Sequence, residues 1–125
     1  MTSPWRYFSL QELKCPCGKC NSTGEEMDND FMGKVESMRS DAGFPFIVPS
    51  AYRCPEHNIA VGGADNSAHV LGKGIDVSAR GFRAYMLVKL AYKYGMTGIG
   101  VYETHVHFDN CTADEIISRP CLWRG

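Results

Sequence analysis

No run of this chain approaches the ~20 consecutive apolar residues that a membrane-spanning helix requires. Nor is there an excess of charge: 13 Lys and Arg stand against 14 Asp and Glu, a formal net charge of -1. The first absence excludes a helical membrane span, and the second excludes the basic field that condenses on nucleic acid or anionic lipid. Residues 1–18 lack the apolar core that marks a secretory signal, so the expectation is synthesis in the cytosol without a leader. Internal repeats, low-complexity tracts and linkers are missing too. A chain of 125 residues is long enough for one packed core and short for two modules, so a single domain over residues 1–125 is expected.

Cysteine, by contrast, is plentiful, with six in this short chain. Three crowd into Cys15-Pro-Cys17-Gly-Lys-Cys20, and a fourth opens Cys54-Pro-Glu-His57, so a CxxC and a CxxH are both present. Short loops closed by Gly let two such ligands approach one tetrahedral metal, which makes Cys17, Cys20, Cys54 and His57 a candidate structural zinc knuckle. A disulfide from Cys54 to the N-terminal loop, or plain buried thiols, are the alternatives.

Periodicity separates the elements. Phe31, Val35 and Met38 recur at helical spacing between Asp28 or Asn29, which can cap a start, and Gly43, which can end a helix, so residues 28–42 form an amphipathic helix facing the core. Phe46–Val48 and Ala51–Tyr52 read as extended, with Pro49 at an edge or a break and Arg53 emerging at the end. Residues 61–74, rich in Gly, Ala, Asn and Ser, are loop, and Ile75–Val77 is a short strand leaving it. A second helix is predicted over residues 82–94, closed by Gly95, with the aromatics Phe82 and Tyr85 in the core. Residues 99–102 and 106–108 flank Glu103-Thr104 as a hairpin. Helices set apart from short antiparallel strands make an α+β domain, a small sheet flanked by helices.

Histidine and acid coincide twice, in Ser67-Ala68-His69 through Gly74-Ile75-Asp76 and in Glu103-Thr104-His105-Val106-His107-Phe108-Asp109. Side chains alternate along a strand, so Glu103, His105, His107 and Asp109 would form one polar row facing a cleft, with Val106 and Phe108 packed behind. Two imidazoles and a carboxylate, with a fourth position open, are the donors of catalytic zinc, whereas structural zinc sites are closed and rich in thiolate.

The order Ser67-x-His69-x-x-Gly72-x-Gly74-x-Asp76, then Gly98-Ile99-Gly100-x-Tyr102, then His105-Val106-His107-x-Asp109, resembles the zinc D-alanyl-D-alanine carboxypeptidases. That family also contains vancomycin-resistance dipeptidases and phage L-alanyl-D-glutamate endolysins. Ser50-Ala51-Tyr52-Arg53 through Asn58, with Val61-Gly62-Gly63-Ala64, is similar to its arginine-bearing segment, and Phe8–Leu13 to the opening of small members. The resemblance implies zinc held by His69, Asp76 and His107, with Arg53 and Ser67 binding substrate. Position 74 is Gly where many members have Ala, a change expected to leave the metal undisturbed. Members carry an acid shortly before the last ligand; here His105 is preferred as the catalytic base, with Glu103 competing. A monomer acting on peptidoglycan stem peptides is implied, reaching the wall after lysis, through a separate pore protein, or on a virion. The related zinc site of Hedgehog signalling domains keeps open a second reading, a non-catalytic zinc-stabilised wall-binding or phage tail module.

Overall fold

The longest helix is also the most fully specified. In the computed structural model, which describes residues 2–125, it spans Asn29–Ala42 and is the second of four: α1 (Leu10–Leu13), α2 (Asn29–Ala42), α3 (Pro55–Ala60) and α4 (Gly81–Lys93). The Asp28 carboxylate accepts the Phe31 N–H at 2.9 Å and so satisfies a donor that the first turn leaves orphaned. At the other end Gly43 takes a left-handed φ of 74°, which a Cβ would disfavour. Between the caps Phe31, Met32, Val35 and Met38 are buried.

Helix α4 buries Leu87, Leu90 and Ala91, one face at i, i+3 and i+4. The aromatics expected in the core lie outside it, because Phe82 and Tyr85 fall on the opposite face and are 73% and 65% exposed. The helix carries two apolar stripes, and the aliphatic one packs against the sheet and α2.

Four strands form one sheet in the order β1-β3-β2-β4: β1 (Gly74–Ser78), β2 (Gly98–Val101), β3 (His105–Asp109) and β4 (Cys121–Arg124). The predicted hairpin is present, with β2 antiparallel to β3 and Tyr102 N–H donating to His105 C=O at 2.9 Å. The predicted loop ahead of β1 is there as well. The sheet goes beyond the antiparallel expectation, since β4 joins its edge parallel to β2. One face, with Ile75, Val77, Ile99, Val106 and Phe108, packs into the core beside α2 and α4.

The opposite face places the chemistry. Register sets Asp76 directly across from His107, His107 across from Gly100, and Gly100 beside Trp123. Residues 46–52 run along β1 without becoming a strand: Ser78 N–H donates to Ile47 C=O and Asp76 N–H to Ser50 C=O, both at 2.8 Å, while Pro49 has no N–H to offer.

Candidate metal centre

Two strands and a loop converge on one carboxylate. Asp76 projects from β1 and His107 from the facing position of β3, with His107 Nδ1 3.0 Å from Asp76 Oδ1. His69 comes from the loop before β1, where Ser67 Oγ accepts the His69 N–H at 3.2 Å and Gly72 N–H donates to His69 C=O at 3.2 Å. That turn brings His69 Nε2 to 3.2 Å from the same Asp76 oxygen. All three residues are buried.

The outer nitrogen of each imidazole fixes what its inner nitrogen can do. His69 Nδ1 lies 2.7 Å from the Ala51 carbonyl, which only accepts, so Nδ1 carries the hydrogen and Nε2 turns a lone pair inward. His107 Nε2 lies 2.6 Å from Asp109 Oδ2 and donates to it, leaving Nδ1 with a lone pair toward Asp76. Asp109 is itself clamped by Arg119, whose Nε and Nη2 donate at 2.9 and 2.7 Å in a two-pronged fork. Burial opposes ionisation of Asp109, yet the hydrogen bonds from His107 and Arg119 outweigh it and hold the carboxyl well below its usual range. For Asp76 burial likewise opposes; hydrogen bonds from His107 and His69, made when their inward nitrogens also carry protons, prevail and hold the carboxyl below its usual range. A cation in place of those protons would act in the same direction. Burial would lower the His107 pKa, but Asp109 and Asp76 together raise it.

Each inward nitrogen lies within 3.2 Å of Asp76 Oδ1, so with both rings neutral two lone pairs face one anionic oxygen and repel it unless a cation sits among them. His69, Asp76 and His107 therefore fit a metal by the chemistry of their donors, and the pinned outer nitrogens are the support that metal-bound histidines need.

Beside the three donors opens a cleft of about 330 Å³. His105 lines it, with Nε2 3.8 Å from Asp76 Oδ2, Nδ1 3.0 Å from Thr104 Oγ1, and the ring stacked on Tyr102 at 4.5 Å and 8°. Arg53 lines it too, its Nη2 3.8 Å from Asp76 Oδ2, braced by Nε donating to Ser50 Oγ at 3.1 Å and Nη1 to Asn58 Oδ1 at 3.2 Å. Ser67 also lines the cleft. Glu103 does not: it sits exposed in the turn before β3, so the polar row on that strand is His105, His107 and Asp109 rather than four residues.

Sequence reasoning placed Asp109 in the row but saw neither its role nor the tail that serves it. Arg119 holds Asp109, and Trp123 packs on the His107 ring at 5.4 Å while its Nε1–H donates to Tyr102 Oη at 2.9 Å. The signal was Gly98-x-Gly100, since alternate glycines on a strand mark a close approach by another segment. A Cβ on Gly98 would lie 2.4 Å from Arg119 Nε, and one on Gly100 2.5 Å from the Trp123 ring. Gly74 has a similar reason, because a Cβ there would stand 2.8 Å from Ala68 Cβ and 3.1 Å from His107 Cε1. In this chain the alanine common at that position would press on the His107 ring.

The cysteine knuckle needs one correction. The fourth residue brought to Cys17, Cys20 and Cys54 is Cys15, not His57. Cys54 caps α3, and its sulfur accepts the backbone N–H of His57 at 3.4 Å. His57 thus meets the cluster through its main chain, while its ring lines a neighbouring cavity.

No curated protein matches this chain. A family model described as peptidase M15 matches residues 6–109, a span that holds His69, Asp76, His107, Arg53 and His105 and ends before Arg119 and Trp123. Covering most of the chain and the whole converging donor set, that match means the protein belongs to the peptidase M15 family.

Proposed function

We propose that the protein is a zinc-dependent peptidase that hydrolyses an amide bond in peptidoglycan stem peptides, in the manner of an endolysin or a D,D-carboxypeptidase. The observation that carries this reading is the pair of imidazole nitrogens within 3.2 Å of one buried carboxylate oxygen, opening on a cleft lined by His105 and Arg53. His69 Nε2, Asp76 Oδ1 and His107 Nδ1 would hold the zinc. Bound there, it supplies Lewis acidity, lowering the pKa of water from ~16 toward ~7 and polarising the scissile carbonyl.

The chain's own groups do the rest. His105 Nε2 faces the cleft and takes the proton of the attacking water, then returns it to the leaving amine nitrogen. Stacking on Tyr102 and the contact with Thr104 hold its ring for both transfers. Arg53 is braced at Nε and Nη1, which leaves Nη2 to bind a substrate carboxylate of the kind a stem peptide carries. Ser67 keeps the His69 turn closed and offers its hydroxyl to the peptide. Asp109 and Arg119 hold His107 in the tautomer that a ligand requires. No helix among the described residues is long and apolar enough to cross a membrane. On this reading the enzyme acts as a monomer and meets the wall after release by a partner pore or from a virion.

Purified sacculi digested with zinc-loaded protein, followed by mass spectrometry of the soluble products, test the proposal. New amino groups on D-glutamate identify an endopeptidase, and released D-alanine a carboxypeptidase. No new peptide ends from a zinc-loaded, folded sample would sink the enzyme reading in favour of a non-catalytic wall-binding module.

A further inference from the structure

The described residues hold a second cluster of ligating side chains, far from the first in chemistry. We propose that Cys15, Cys17, Cys20 and Cys54 form a closed four-thiolate zinc centre that ties the N-terminal loop to the start of α3. This inference stands independently of the peptidase reading.

Geometry is the first support. One sulfur from each cysteine lies within 4.8 Å of all the others, with Cys15–Cys54 at 3.7 Å and Cys17–Cys54 at 3.9 Å. Zinc bound to thiolate at ~2.3 Å in a tetrahedron places sulfurs about 3.8 Å apart. All six cysteines are free thiols, so the cluster is not a pair of disulfides.

Hydrogen bonding is the second. The backbone N–H groups of Lys19, Cys54 and His57 donate to Cys17 Sγ at 3.3 Å, Cys15 Sγ at 3.4 Å and Cys54 Sγ at 3.4 Å. N–H donors aimed at sulfur fix the sulfur's direction, the outer support expected around a metal site. Gly18, at a φ of 72°, lets the chain double back between Cys17 and Cys20.

Need is the third. No helix or strand lies between α1 and α2, and within residues 14–27 only Cys15, Gly24 and Met27 are buried. So little apolar burial cannot offset the entropy of ordering that stretch, and a metal cross-link can. Four thiolates leave no open position, which makes the centre structural. Its reach extends to the first site, because Cys54 follows Arg53 and Tyr52 N–H donates to Leu13 C=O at 3.1 Å. The metal would thus anchor the segment from which Arg53 enters the cleft.

The test separates the two centres. In the reduced full-length H69A/H107A variant, elemental analysis should find one zinc per chain, and adding C17S/C20S should remove it. Cobalt loaded into H69A/H107A should show intense visible bands and thiolate-to-metal charge transfer, a signature that does not depend on the cysteine variants folding. In the wild type, a mercurial reagent should release that zinc as the four clustered thiols react, with Cys111 and Cys121 titrating apart from it. A zinc-free H69A/H107A sample without the cobalt charge-transfer band overturns the proposal, as does a native disulfide among the four cysteines. Should the wild type hold one zinc and H69A/H107A keep it, the cysteine centre stands and the histidine centre's metal falls.

Discussion

The His69–Asp76–His107 centre and the Cys15–Cys17–Cys20–Cys54 cluster meet at opposite ends of Ser50–Cys54, and they are built differently. Asp76 and His107 stand on adjacent strands in fixed register, and His69 is pinned by the Ala51 carbonyl. Their geometry is preset by the sheet and by a chain of second partners, Asp109 and Arg119. The cysteines sit on loops and a helix cap, where backbone N–H groups and the Ser22 hydroxyl support them. A site preset by the fold can release its metal and keep its shape, whereas a loop cluster needs the metal to have a shape at all.

That contrast is open to breakage, beginning with the largest expected effect. His107→Ala should abolish peptide hydrolysis and the zinc of the first centre, because two protein ligands hold a catalytic metal poorly, while the thiolate metal stays. A metal-depleted His107→Ala protein with wild-type turnover would end the assignment. Brief chelation of the wild type should eliminate activity before it lowers the melting temperature, since the open centre surrenders its metal first. Simultaneous loss of both would mean that the two sites are not energetically distinct.

His105→Ala should lose ~10² to 10⁴ in turnover yet retain its zinc, the usual contribution of a general acid or base. Glu103→Gln, measured beside it, should stay near wild type; the reverse pattern would make Glu103 the base. Asp109→Asn removes the charge that Arg119 clamps and should weaken zinc binding or activity by about 10- to 100-fold, read from a competitive zinc titration. Unchanged affinity would show that the sheet alone orients His107.

The smallest effect belongs to Lys73 and Glu115, 2.6 Å apart, half-buried between the His69 loop and the tail. The Lys73 hydrogen bond, aided by the Thr112 N–H, lowers the Glu115 pKa. A depressed carboxylate pKa contributes stability that is complete above the unfolded value of ~4.3 and is lost as pH falls through the folded value. Glu115→Gln should therefore cost about 0–1 kcal/mol at neutral pH and nothing in acid, by thermal melts across pH. A cost that persists in acid would assign Glu115 a role in packing instead.

Much of this was written in local pattern. Asp28, the Phe31-Val35-Met38 spacing and Gly43 specify α2 without reference to anything distant, because caps and a 3.6-residue period act within a few turns. The residue types at 69, 76 and 107 announce a zinc-like donor set for the same reason, since ligand chemistry belongs to the side chain. Helix α4 was legible as a helix but not in its orientation. It carries an aliphatic and an aromatic stripe, and local spacing does not say which one meets the sheet.

What only the tertiary structure decided is which distant groups become neighbours. The Asp76–His107 pairing depends on strand register, the identity of Cys15 over His57 on how a glycine-turned loop meets a helix cap, and the Asp109–Arg119–Trp123 support on a four-residue strand that pairs with β2. Each is a long-range closure whose entropy cost is met by the whole packed core, and such a term leaves no periodic trace along the chain. The sequence by itself determined α2, α4 and the residue types of the candidate donors; the fold added α1 and α3 and determined who faces whom.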